Sequence, residues 1–214
     1  MSYLFANRFT LQLREYLADF RRGTEGVAAV EFALIAPIMV MLLMGSIEIS
    51  QAVTVDRRVT QVSTTTGDLV ARADKDIAAS EITDIMKVGS WLMKPYNETS
   101  LKVTISIVSS SITDANDRKT KWKCEFDGAN PTAVDCTCPN VAATIPNGLV
   151  GKGDSVVVAE VNYGYAPFLG FKQYLSKTKT ESGGKFNLSE IVYLKPRAAC
   201  PQLTKADATK CGCT

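Results

Sequence analysis

One apolar run limits how this chain of 214 residues can fold. Residues 26–47 read GVAAVEFALIAPIMVMLLMGSI, and Glu31 is the only charged residue among them. At a rise of about 1.5 Å per residue, about 20 apolar residues in a helix span the roughly 30 Å hydrocarbon core of a bilayer. A buried core helix is the alternative, but a core helix of this length usually carries a polar stripe. No second run of this length follows, so we expect a bitopic protein, a secreted one, or one assembled through this segment.

Arginine is concentrated on the N-terminal side of the apolar run. Only two basic residues, Arg57 and Arg58, occur in the about fifteen residues that follow the run, and Asp56 adjoins them. Four arginines precede the run: Arg8, Arg14, Arg21 and Arg22. The positive-inside rule therefore predicts a cytoplasmic N-terminus and an exported chain after Ser50.

The composition excludes several classes of function. Lys and Arg number 24 against 22 Asp and Glu, a balance unlike that of a dedicated nucleic-acid binder. The chain has no histidine, which excludes Ser-His-Asp and Cys-His catalysis and HExxH zinc sites. No side chains are grouped as nucleophile, base and orienting residue. We expect no enzyme activity, no catalytic residue, no cofactor or metal, no nucleic-acid partner and no small-molecule substrate.

Helical patterning continues beyond the apolar run. Residues 48–73 contain no proline and carry a loose apolar stripe, so we expect the first helix to end within residues 64–73. Asp74 is a plausible N-cap for a second helix from Lys75 to Lys94, and Pro95 is expected to stop it.

After residue 95 the apolar period changes from helical to alternating. The run LKVTISIVS at 101–109 is a strong strand pattern, and residues 122–126, 155–165 and 190–194 indicate further strands. These features predict an α+β fold: a long N-terminal transmembrane helix, a second short helix, and a small antiparallel sheet of three to five strands.

All the cysteines lie after the apolar run, where an even number in an exported segment indicates disulfides. Two CxC pairs, 136/138 and 211/213, offer four thiolates for zinc, but structural zinc sites usually use CxxC spacing. The sequence leaves the pairing open, although proximity suggests one bridge from Cys124 to the 136/138 pair and another from Cys200 to the 211/213 pair. The six disulfide candidates are Cys124, Cys136, Cys138, Cys200, Cys211 and Cys213.

Glu31 is costly inside an apolar helix, by about 2.5–3.5 kcal/mol at the middle of a membrane span and less near its end. One explanation is that Glu31 lies near the interface and stays hydrated. The other requires a cationic partner. If the chain were cut after Gly26, a new α-ammonium would appear at Val27, and Glu31 of one subunit could pair with that amine of another.

Glycine followed by four residues, then glutamate and an aromatic residue, resembles the prepilin cleavage site of type IV pilin-like proteins. The wider run GVAAVEFALIAPIMVMLLMGSIEISQAV resembles the TadE-like family, the pseudopilins of the tight-adherence (Flp pilus) system. The family core AVEFAL-x-x-P is matched by residues 29–34 and Pro37, within a similar stretch of about 30 residues. The strand ending YGYAP at 163–167 is also similar to family ectodomains.

This resemblance implies a bacterial inner-membrane pseudopilin with a pilin-like fold. It implies a cytoplasmic leader (1–26), a transmembrane helix (27–47), a helical stalk with the second helix (48–94) and a periplasmic β-rich domain (95–214). A prepilin peptidase would cut between Gly26 and Val27. Pilin and other pseudopilins would be the partners in the membrane, packing against Glu31, Phe32 and Pro37, and the pilus would serve adhesion.

Two other functions remain open from the residues alone. One is an uncleaved bitopic anchor whose periplasmic domain binds another protein. The other is a membrane-tethered enzyme, against which the missing catalytic constellation argues.

Overall fold

The computed structural model describes residues 26–132, 134–167 and 185–212. The expected leader before Gly26 and the candidate Cys213 lie outside the described residues. The chain divides into two compact units, Met1–Ile47 and Glu48–Thr214. The secondary structure confirms the α+β prediction with a long N-terminal helix.

Helix α1 runs from Val27 to Ala71, so its end falls within the predicted range. In the second unit it buries one face, which carries Val55, Val59, Val62 and Val70 at helical spacing. Several threonines interrupt this valine-rich stretch, and their hydroxyl groups donate to carbonyls one turn back. Thr66 Oγ1, for example, donates to the Val62 carbonyl at 2.7 Å. These bonds satisfy the buried hydroxyls without breaking the helix.

The second helix starts later than the pattern predicts. Residues Asp76–Ala78 form a short strand, β1, and helix α2 covers Ala79–Leu92, so the predicted start at Lys75 with Asp74 as N-cap is wrong. Glu81 Oε2 accepts the Ala78 N–H at 3.0 Å and provides the N-terminal cap instead. The helix ends before Pro95, as expected.

Helix α2 packs closely against α1. A side chain at Gly89 would begin 3.0 Å from Val62 Cγ1, so only glycine permits this approach without a shift. Arg58 Nη1 donates to the Leu92 carbonyl at 2.8 Å and so satisfies one of the carbonyls left free at the helix end.

The main sheet is antiparallel and has six strands, more than the predicted three to five. The strands are β2 (Leu101–Ser110), β3 (Arg118–Asp127), β4 (Val134–Thr137), β5 (Val141–Ala142), β6 (Ser155–Tyr165) and β7 (Phe186–Leu194), and a 3-10 turn (Glu98–Ser100) precedes β2. They lie in the order β4-β3-β2-β6-β7, and β5 pairs with the first residues of β3. The strands of two to four residues were missed because they are too short to show an alternating period.

A second, three-stranded sheet joins the segment before helix α2 to the C-terminal strands. Strand β1 pairs in parallel with β8 (Gln202–Thr204), which pairs antiparallel with β9 (Lys210–Cys211). Beneath it, Trp122 of β3 is fully buried and its Nε1 donates to the Pro201 carbonyl at 2.8 Å. The C-terminal segment is therefore part of the core rather than a loose tail.

Disulfides are present, as predicted, and part of their pairing was predicted from proximity. Cys124 of β3 is bonded to Cys136, its cross-strand partner on β4. Cys138 is bonded to Cys211, which connects the main sheet with the small one. Cys211, one of the two partners suggested for Cys200, is therefore bonded to Cys138 instead. Cys200 is itself disulfide-bonded.

The two assigned bridges should differ in their contribution to stability. Cys124–Cys136 spans 12 residues and Cys138–Cys211 spans 73, which the chain-entropy model converts into about 3 and about 4 kcal/mol. The Cys138→Ala/Cys211→Ala variant should therefore unfold at lower denaturant than Cys124→Ala/Cys136→Ala. Urea unfolding of the full chain in detergent measures both. An equal loss in the two variants would contradict the loop-length argument.

Candidate functional site

The apolar segment of α1 is exposed along its length. Phe32 is 69% exposed and Met41 is 73% exposed, and the most apolar window of the helix has 0% of its residues buried. Among the described residues, this is the one helix long and apolar enough to cross a membrane. An uninterrupted apolar surface of this size in water marks a membrane or protein interaction site.

Glu31 lies one turn after the start of this segment. It is exposed, and within the described ranges its carboxylate has no ion-pair or hydrogen-bond partner. The helix begins at Val27, so the first N–H groups, which have no intrahelical acceptor, lie one turn before Glu31. Val27 and Glu31, four residues apart, also share one helix face.

Gly26 immediately precedes the helix, and its surroundings are open. A Cβ built at this position meets no atom within 4 Å. Neither packing nor backbone strain among the described residues therefore requires glycine at residue 26.

Pro37 lies inside the helix, which continues through it. Proline has no N–H to donate, so the carbonyl of Ala33 loses its usual acceptor role within the helix. This leaves one polar backbone atom, the Ala33 carbonyl oxygen, on an otherwise apolar surface. Val27, Glu31, Phe32 and Pro37 lie on one short stretch of α1, which Gly26 immediately precedes.

Sequence reasoning missed a buried polar pair where the second unit begins. Tyr165 Oη donates to Glu48 Oε1 at 2.8 Å, and the two residues are 6% and 8% exposed. Burial, and then the hydrogen bond to Glu48, raises the pKa of Tyr165 to about 12. Tyr165 belongs to the YGYAP run, but 117 residues separate the partners, so local patterns cannot reveal the contact.

A family model described as TadE-like protein matches residues 26–67. The chain carries a TadE-like region. This region contains the exposed apolar segment with Glu31 and Pro37, and it extends into the helix face that is buried in the second unit. Comparisons with curated proteins and with solved structures found no match.

The match assigns a TadE-like region to the N-terminal apolar helix. The TadE-like family consists of pilus-associated structural proteins rather than enzymes. For that family, the membrane and the components of the Tad pilus are the implied partners.

The Tyr165 pair gives a testable pH dependence. Because the folded-state pKa of Tyr165 is raised, its contribution to stability is complete below about pH 10 and is lost as the pH rises towards about 12. Tyr165→Phe should reduce this alkaline loss and, at pH 7, cost about 1–3 kcal/mol because a buried acceptor of Glu48 loses its donor. Urea unfolding from pH 7 to 12 measures both effects. Tyr193→Phe, on the half-buried β7, is the control, and an unchanged pH slope in Tyr165→Phe would contradict the assignment.

Proposed function

We propose that this protein is a minor pseudopilin of a bacterial tight-adherence (Flp) pilus. In this proposal the apolar segment inserts in the inner membrane with the N-terminus in the cytoplasm, and residues 48–214 lie in the periplasm. A prepilin peptidase removes the leader by cutting between Gly26 and Val27. The observation that carries the proposal is an exposed apolar helix that starts at Val27. One turn inside it lies the Glu31 carboxylate, which has no partner within the described ranges.

Cleavage explains the glycine at residue 26. No neighbour among the described residues excludes a side chain there, so the constraint comes from outside the described fold. A peptidase that holds an extended substrate needs close access to its backbone, and a residue without a Cβ permits this approach.

Cleavage also supplies the partner that Glu31 lacks. The new α-ammonium at Val27 is a cation one turn of helix from Glu31. Within one subunit this pair would satisfy the charges but would select no neighbour. Between two subunits, Glu31 of one helix meets the Val27 amine of the next, which offsets the burial of both charges and fixes the axial offset between neighbouring helices.

The remaining exposed side chains then provide the lateral contacts. Phe32, beside Glu31, presents a large apolar surface to a neighbouring helix, and Pro37 leaves the Ala33 carbonyl available for a polar contact. Pilin and other pseudopilins, which also have apolar helices, are the expected neighbours. The protein is thus a substrate of the peptidase and a structural component of the pilus.

Two substitutions separate cleavage from assembly. Gly26→Val should block leader removal, because a branched side chain prevents close access of the peptidase. Glu31→Gln keeps the shape but removes the charge, and breaking a buried pair costs about 3–5 kcal/mol. Glu31→Gln should therefore be cleaved nearly normally but fail to support pilus assembly. Mass spectrometry measures leader loss, and electron microscopy counts surface pili.

Two controls match these changes. Gly45→Val makes the same replacement at another open glycine of α1, and should leave cleavage intact. Asp56→Asn removes an exposed carboxylate of the same helix outside the apolar segment, and should leave piliation intact. Normal piliation with Glu31→Gln would remove the pairing role. Normal growth of pili with an uncleaved Gly26→Val protein would favour a bitopic anchor with a protein-binding periplasmic domain.

A further inference from the structure

The disulfide between Cys138 and Cys211 encloses another bonded cysteine. Cys200 lies between the two in sequence and is itself disulfide-bonded, so the pairing does not follow the order of the cysteines along the chain. The Cys124–Cys136 bridge, in contrast, does follow the order of the cysteines. Cys124 and Cys136 face each other across one hairpin and are consecutive cysteines.

While the chain is unfolded, Cys200 competes with Cys138 for Cys211. Cys200 is 11 residues from Cys211, whereas Cys138 is 73 residues from it. Because the probability of loop closure falls with the −3/2 power of length, Cys200 reaches Cys211 about 17-fold more often than Cys138 does. In a chain exported from its N-terminus, Cys138 also meets Cys200 before Cys211 emerges. Both effects favour bonds that the folded protein does not contain.

Cys138 is exposed in the folded protein, whereas Cys211 is only 5% exposed. The two cysteines line an open cavity of about 260 Å³ together with Lys121, Asn140 and Lys210. Lys210 Nζ is 3.3 Å from Asp76 Oδ1, and Lys121 Nζ donates to Asn140 Oδ1 at 3.4 Å. Positive charge at this cavity favours the approach of a thiolate anion to the exposed Cys138.

We propose that this protein is a substrate of a thiol–disulfide isomerase, with the Cys138–Cys211 site as the point of exchange. The inference rests on the proposed export of residues 48–214 to an oxidising compartment. Its partner is an enzyme that carries a reactive thiolate, and a general disulfide donor alone produces the mispaired Cys200–Cys211 form.

The exchange balances without a net oxidant. The isomerase thiolate attacks Cys211 in the Cys200–Cys211 bond, which breaks. A mixed disulfide with Cys211 forms, and Cys200 leaves as a thiolate. The Cys138 thiolate then attacks Cys211, forms the Cys138–Cys211 bond and releases the isomerase thiolate. In a separate oxidation, the general disulfide donor takes up two electrons and joins Cys200 to the one cysteine thiol of the chain that is still unbonded.

Refolding of the full chain tests the proposal. The reduced, denatured protein is returned to detergent with oxidised glutathione, either alone or with a purified CxxC thiol–disulfide isomerase, and samples are alkylated over time. Because no Lys or Arg separates the cysteines of either CxC pair, tandem mass spectrometry of proteolytic fragments must assign each half-cystine. The Cys138–Cys211 bond should form at least about tenfold faster with the isomerase, given the bias towards Cys200.

A matched pair of variants makes the test specific. In Cys200→Ala/Cys213→Ala, the thiols nearest to Cys211 are gone and Cys138 and Cys211 become consecutive, so the isomerase should accelerate the bond much less than in the wild type. Cys124→Ala/Cys136→Ala leaves the competitors in place and should keep the isomerase dependence of the wild type.

Three results would overturn the proposal. The first is that protein isolated from its host lacks the Cys138–Cys211 bond. The second is that the isomerase does not accelerate formation of this bond. The third is that bond formation depends equally on the isomerase in the two variants. Since none of these measurements involves leader cleavage or pili, a failure here leaves the pseudopilin proposal standing. Conversely, an intact leader would leave the refolding result valid.

Discussion

An apolar helical segment that the chain itself does not cover is the constraint on which this structure depends. Every large side chain from Val27 to Leu43 is exposed, so the segment needs lipid or other helices around it. Once that cover is present, Glu31 becomes the one charged side chain in a poorly solvated place. A charged carboxylate is costly in such a place, and a cationic partner for Glu31 would offset that cost.

The second unit, in contrast, buries its apolar side chains in a core of its own. The valine face of α1 is buried in a core with alternate residues of β2 and β6, such as Ile105 and Ala159. Helix α2 approaches through Gly89, and the Arg58 guanidinium satisfies its last turn. Disulfides and the Trp122–Pro201 hydrogen bond then hold the C-terminal segment in this core. Helix α1 therefore has an exposed apolar part and a second part that packs in the core with the sheet.

The strands that sequence analysis identified were those with a long alternating period. The pattern from Leu101 onwards and the whole of Ser155–Tyr165 were identified because one buried face requires every second residue to be apolar. Strand β1 was assigned to a helix instead. Its three residues are held by parallel pairing with Gln202–Thr204, more than 120 positions away, and no local pattern carries that information.

The same distinction explains what was found of the candidate site. Glu31, Phe32 and Pro37 lie close together on α1, just after Gly26, so the sequence alone shows that they are neighbours. The Glu48–Tyr165 pair and the Cys138–Cys211 bridge depend on residues that only the folded sheet brings together. Proximity along the chain correctly suggested that Cys124 bonds to one cysteine of the 136/138 pair, because a hairpin is a local structure.

The central claim is that the apolar helix is exposed at its N-terminus by processing and then assembled with other helices. The most direct test is the intact mass, with N-terminal sequencing, of the protein extracted from the membranes of its native host. The account predicts a chain that begins at Val27, with residues 1–26 removed. A chain that still begins at Met1, in cells that produce pili, would contradict it.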